Sequence, residues 1–176
     1  MGVAAELGIS RFLRQSLIGG DYELIDRFTY APNPDFFAAV LQRRLAGTAV
    51  LASALEPAAA DVRVHAYCTA GSTADVTLVA VNFGASAVAL AVPATASPRK
   101  EWHIRSAVAG VVNSTVVELM APDGAGWTPL GLTATDELTA MPPAPVPSGM
   151  PVALGPHSYA YVVLRGLAPA ACAPAR

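Results

Sequence analysis

The sequence predicts a mainly β fold: an antiparallel β-sandwich over residues 48–176, preceded over residues 1–47 by one strand, loop and helix. Three observations lead to this reading. Apolar residues recur at helical spacing between Asn33 and Gly47. After residue 50 no helical pattern appears, and short β-branched runs recur between prolines and glycines. A hydrophobic fraction of 53% over 176 residues supplies enough apolar surface for a buried core.

Ile9 to Ile18 is rich in β-branched and large apolar residues and stops at Gly19-Gly20, the pattern of a buried strand and its terminating turn. A loop then runs to Tyr30. Asn33 suits a helix N-cap, Pro34 the first helical position, where no amide donor is needed, and Asp35 the positive end of the helix dipole. Phe36, Phe37, Val40, Leu41 and Leu45 make the buried stripe, and Gly47 is placed to close the helix in a left-handed conformation.

The expected strands are Thr48 to Ser53, Val62 to Tyr67, Val76 to Val81, Ala87 to Val92, Trp102 to Ser106, Ser114 to Leu119 and Ser158 to Leu164. Val76 to Ser97 carries no charge and is long enough to cross a bilayer. Its β-branched start, the turn residues Asn82-Phe83-Gly84-Ala85-Ser86 and the closing Pro93 instead indicate a hairpin. Met141 to Pro147 is proline-rich and reads as an extended surface connection, since proline offers no donor to a central strand.

With 11 basic and 13 acidic residues scattered along the chain, there is no basic footprint for nucleic acid. The first twenty residues include Glu6, Arg11 and Arg14 and lack the apolar run of a secretory leader, so any leader of a secreted parent is expected upstream. His65, His103 and His157 lack the short paired spacings of a metal site and read as strand or turn residues. No Gly-x-Ser-x-Gly turn presents a serine nucleophile. Asp21, Glu23 and Asp26 read as solvated loop charge. No cofactor and no metal is expected.

Motifs spread along the chain carry a resemblance. They are Arg14 to Tyr22 (RQSLIGGDY), Asn33-Pro34-Asp35-Phe36-Phe37, Leu45 to Leu51, His65-Ala66-Tyr67-Cys68, Val76 to Asn82, Pro156-His157-Ser158-Tyr159 and Ala170-Ala171-Cys172. In this order they resemble the late part of the heparanase-like glycosidases, glycoside hydrolase family 79. The resemblance implies a (β/α)8 barrel joined to a β-sandwich. Met1 to Leu7 would close helix seven of the barrel, Ile9 to Ile18 would be strand eight and Asp35 to Leu45 helix eight. It also implies a retaining hydrolase that uses two carboxylates. Both catalytic glutamates would lie upstream of the first motif, so no catalytic residue is assigned here and the chain alone is expected to be inactive.

The loop after strand eight of such a barrel faces the active-site cleft. The resemblance therefore implies that Tyr22, with the backbone amide of either Gly19 or Gly20, contacts the carboxylate of a uronic acid sugar. Asp21 departs from the Asn common in plant-type members and would repel that carboxylate. Cys68 and Cys172 match positions joined by a disulfide in the family, the alternative being two free buried thiols. Asn113-Ser114-Thr115 is a glycosylation sequon. With the cysteine pair it points to an extracellular, secretory or lysosomal-vacuolar setting, membrane association of the parent being open. The implied partners are a glucuronic-acid-containing glycan and the missing N-terminal part of the enzyme. The competing expectation is a standalone, non-catalytic glycan-binding or structural β-sandwich module.

Overall fold

The computed structural model describes residues 1–9, 11, 13, 15–56, 59–107, 117–121, 123–130 and 141–173. Among them, helices α1 (Gly2–Glu6) and α2 (Pro34–Leu45) precede strands β1 (Ala46–Leu51), β2 (Val62–Thr69), β3 (Val76–Asn82), β4 (Val88–Leu90), β5 (Arg99–Ser106), β6 (Val117–Met120), β7 (Trp127–Pro129), β8 (Ala144–Val146), β9 (Val152–Leu154) and β10 (Ser158–Leu164). A short 3-10 turn, Ala170–Cys172, follows. The large sheet has the order β1-β2-β3-β10-β5-β6-β7, with β8 pairing to the first half of β5. Strands β4 and β9 form a separate antiparallel ladder.

Strand β10 explains the layering. It lies between β3 and β5, antiparallel to both, and its side chains alternate between two buried faces. Ala160, Val162 and Leu164 pack with Val62, Val76 and Ala80 beneath Leu90 of β4 and Val152 and Leu154 of β9. Tyr161 and Val163 face the other way, against Phe37, Leu41 and Leu45 of α2 and Trp102 and Ile104 of β5. The sheet is thus covered by a two-stranded ladder on one side and by α2 on the other. Polar tips are satisfied within this packing: Tyr161 Oη donates to Ala38 O at 3.0 Å, and Trp102 Nε1 to Met141 O at 2.7 Å. Burial pushes the Tyr159 and Tyr161 phenols up, so both remain neutral donors.

Strands β1, β2, β3, β5 and β10 stand where the β-branched runs place them, and α2 begins at Pro34 after Asn33 as the capping pattern requires. Several details differ. The Asn33 side chain does not cap the helix; its Nδ2 donates to Glu23 O at 2.7 Å and ties the preceding loop to α2. Gly47 does not close the helix in a left-handed conformation. Ala46, already extended at φ −86°, starts β1, and a Cβ at Gly47 would lie 2.6 Å from Cys68 O on β2. Glycine is needed there for close strand approach.

The stretch from Ile9 to Ile18 contains no strand among its described residues. A strand persists only through a neighbour that pairs with its backbone. Here the Ser16 and Leu17 carbonyls accept from the Leu24 and Ile25 amides, at 3.0 and 2.9 Å, and fold the segment onto its own loop. Of the expected strand and helix preceding the sandwich, the helix forms.

Residues 76–92 do not make a hairpin either. β3 pairs with β2 and β10, and β4 crosses to β9. Asn82 directs the crossing, with Nδ2 donating to Ser86 O and Gly155 O, each at 2.8 Å. The proline-rich segment supplies β8 on the sheet margin, where Pro145 stands opposite Lys100. Ala144 and Met141 of this segment are buried, so it is more than a surface connection. No helix of the described residues is long and apolar enough to cross a membrane.

Candidate functional site

The loop between residues 16 and 33 is built around one side chain. Pairing of Leu24 and Ile25 with Ser16 and Leu17, a bond from Asp26 N to Ala31 O at 2.8 Å and another from Asn33 N to Leu24 O at 2.8 Å close it into a compact unit. At its centre Glu23 is 7% exposed. Its Oε2 accepts from the Gly19 amide at 2.6 Å and the Gly20 amide at 2.5 Å, and its Oε1 accepts from the Arg27 amide at 2.7 Å. Gly19 has φ +94°, a left-handed conformation that turns its amide toward the same point as that of Gly20. Burial pushes the Glu23 carboxyl up, but the three amides and the Arg27 charge outweigh it and hold the group below its ordinary range.

Around this centre the other charges are local. Asp26 is held low by hydrogen bonds from the Thr29 amide and hydroxyl and the Phe28 amide, an Asx turn. Asp21 points outward and pairs with Arg27 Nη2 at 3.3 Å. Tyr22 is 73% exposed. The structure therefore places Gly19, Gly20 and Tyr22 on one loop, with the two amides turned to an internal carboxylate and the phenol free in solvent. Glu23 is the residue that sequence reading misplaced as solvated charge. A Glu three and four residues after a Gly-Gly pair can return its carboxylate to both amides, and that spacing was the available signal.

Elsewhere, Cys68 at the end of β2 and Cys172 in the 3-10 turn form a disulfide with Cα atoms 5.5 Å apart, spanning a sequence separation of 104. Asn113 lies outside the described residues. His65 Nδ1 contacts Glu6 Oε1 at 2.7 Å and fastens α1 to β2, while His157 occupies a turn at φ 48°. Among the described residues no three His, Cys, Asp or Glu side chains are grouped to hold a metal ion.

One further polar cluster is internal. Arg99, Glu101 and His103 alternate along β5 and so share the face opposite Trp102 and Ile104, all three nearly inaccessible. Glu101 binds Arg99 Nε through one oxygen and His103 Nε2 through the other, at 2.5 Å for the latter. Arg99 also donates to Met150 O at 2.5 Å and Pro151 O at 2.9 Å, fixing the segment that enters β9. This cluster is sealed from any glycan and serves the fold.

The fold has a counterpart in a solved structure. A family 30, subfamily 8 xylanase from Clostridium acetobutylicum superimposes with a TM-score of 0.50 over 84% of this chain and 32% of that one, at 15% identity, a likeness of fold. No family model matches the chain. By sequence it is 30% identical over 168 residues to the baicalin-β-D-glucuronidase of Scutellaria baicalensis, covering 94% of this chain and 30% of that protein. It is 28% identical over 186 residues to mouse heparanase, covering 98% and 32% respectively. It is 39% identical over 82 residues to heparanase-like protein 1 of Arabidopsis thaliana, covering 47% and 15%. The chain is thus similar, along its length, to part of the heparanase-like proteins, as its motifs indicate. It spans about a third of the length of the first two of these relatives.

Proposed function

We propose that this chain is the C-terminal part of a retaining glycoside hydrolase of the heparanase and β-glucuronidase type, glycoside hydrolase family 79, acting on uronic-acid-containing glycans. In this reading it contributes the 19–22 loop to the cleft and the sandwich that supports it, and the two catalytic glutamates come from sequence outside it. The chain alone would turn over no substrate. The observation that carries the reading is the loop itself: two glycine amides converge on a carboxylate beside an exposed tyrosine. Main-chain donors and a phenol read a carboxylate by directional hydrogen bonds, without adding a permanent charge. The Cys68–Cys172 disulfide supports an oxidising, extracytoplasmic setting for the parent enzyme.

The test is Tyr22→Phe in the parent enzyme. Losing one hydrogen bond to a charged group is expected to cost about 1.5 to 3 kcal/mol, or roughly ten- to a hundredfold in kcat/KM on an aryl glucuronide. The matching glucoside lacks the carboxylate and should be affected far less. Equal losses on both, or a large fall in melting temperature, would make Tyr22 a structural residue. A parent reading frame without a pair of carboxylates for the barrel would instead favour a non-catalytic glycan-binding module.

A further inference from the structure

Resting on the reading of the 19–22 loop as a carboxylate-binding element, we propose that Glu23 is a built-in stand-in for the ligand, occupying the Gly19, Gly20 and Arg27 amides until an external sugar carboxylate displaces it. Three main-chain donors on one carboxylate, at 2.6, 2.5 and 2.7 Å, make a complete anion nest. Such charge-assisted bonds are stronger than neutral ones, and any carboxylate of similar reach satisfies them. Two carboxylates cannot share these amides, because like charges at contact distance repel. A ligand that uses Gly19 or Gly20 must therefore expel Glu23.

The loop also has bonds that do not use that carboxylate. Asn33 Nδ2 holds the Glu23 carbonyl at 2.7 Å, and the Leu24 and Ile25 amides hold Ser16 and Leu17. Rotation of the Glu23 side chain leaves these bonds in place. There is free space beside Gly19, where an added Cβ would meet nothing within 4 Å. Exposed Tyr22 lies on the same loop to receive the second oxygen of an entering carboxylate. Glu23 then sets selectivity: it lowers the apparent affinity for every external carboxylate by the fraction of molecules whose nest is vacant, and only a ligand with additional contacts overcomes it.

The experiment follows the Gly19 and Gly20 amide resonances of the isotopically labelled chain during titration with acetate, glucuronate and methyl glucoside. In Glu23→Ala, acetate and glucuronate should shift both amides saturably, with half-saturation at about tenfold or more lower concentration than in the unaltered chain. Methyl glucoside should shift neither. Glu23→Gln keeps the shape and a neutral acceptor, so its half-saturation should fall between the two and guards against a loop lost in the alanine variant. Equal half-saturation in all three chains overturns the proposal, as does a loop that no carboxylate restores in either variant. Displacement by acetate as readily as by glucuronate sustains Glu23 as a stand-in but overturns both its part in selectivity and the uronate reading of the loop.

Discussion

Two glutamates carry much of the buried charge, and their partners decide what each does. Glu23 is met by main-chain amides, Glu101 by the side chains of Arg99 and His103. Burial pushes the Glu101 carboxyl up, yet the hydrogen bonds and charges of His103 and Arg99 bring it below its ordinary value of 4.5. A group with a depressed folded pKa stabilises the fold fully above its unfolded pKa, and that contribution is lost as pH falls through the folded value. Stability should therefore hold from neutral pH to about 5 and decline below 4.5, seen as a falling urea midpoint. Glu101→Gln leaves Arg99 buried and uncompensated and should cost about 3 to 5 kcal/mol at pH 7. The same variant should flatten the acid decline; an unchanged midpoint and slope would show that the cluster carries no such role. The expected strand begins only at Trp102, so of Arg99, Glu101 and His103 the sequence reading places only His103 on it. The burial of Glu23 was not legible either, because nothing in a loop sequence states which way its amides turn.

At the scale of elements, α2 is bound to the sheet by Phe37, Leu41 and Leu45, and Leu41 is wholly inaccessible. Leu41→Ala removes contacts with the face that Tyr161 and Trp102 share, and should destabilise the chain by about 2 to 5 kcal/mol in thermal or urea unfolding. A change under 1 kcal/mol would mean that α2 contributes little to the sandwich, a result opposite to the packing described. Elements with a strong local pattern were legible: α2 from its spacing and proline start, β3 and β10 from β-branched runs. The misread elements share a cause. Gly47 carries the signal of a helix end, but the nearness of Cys68 O decides its role, and the β3 to β4 turn resembles a hairpin until Asn82 ties it to Gly155. Residues 9–18 have the composition of a strand, but among the described residues Ser16 and Leu17 bond to their own following loop and no strand forms. Local composition cannot state pairing.

For the whole molecule, the family motifs anticipated the similarity to heparanase-like proteins and the cysteine pair, while the sheet order, set by contacts between distant segments, lay beyond local reading. The disulfide acts on this largest scale. It ties the end of β2 to the final turn across a separation of 104, so the closed loop contains strands β3 to β10. Constraining the unfolded chain over such a loop is worth about 4 to 5 kcal/mol in the chain-entropy picture, and native bridges of this kind typically contribute about 2 to 4 kcal/mol. Cys172→Ser should lower the urea midpoint accordingly and reduce the melting temperature by roughly 5 to 15 °C. Strands β3 and β5 each pair with β10 without help from the bridge, so the variant should keep its far-ultraviolet signature below the transition. Reducing agent should bring the unaltered chain to the stability of the variant and leave the variant unchanged. If the reduced and oxidised chains unfold at the same urea concentration, the bridge does not restrict the unfolded ensemble and the sandwich is held by its two apolar faces alone.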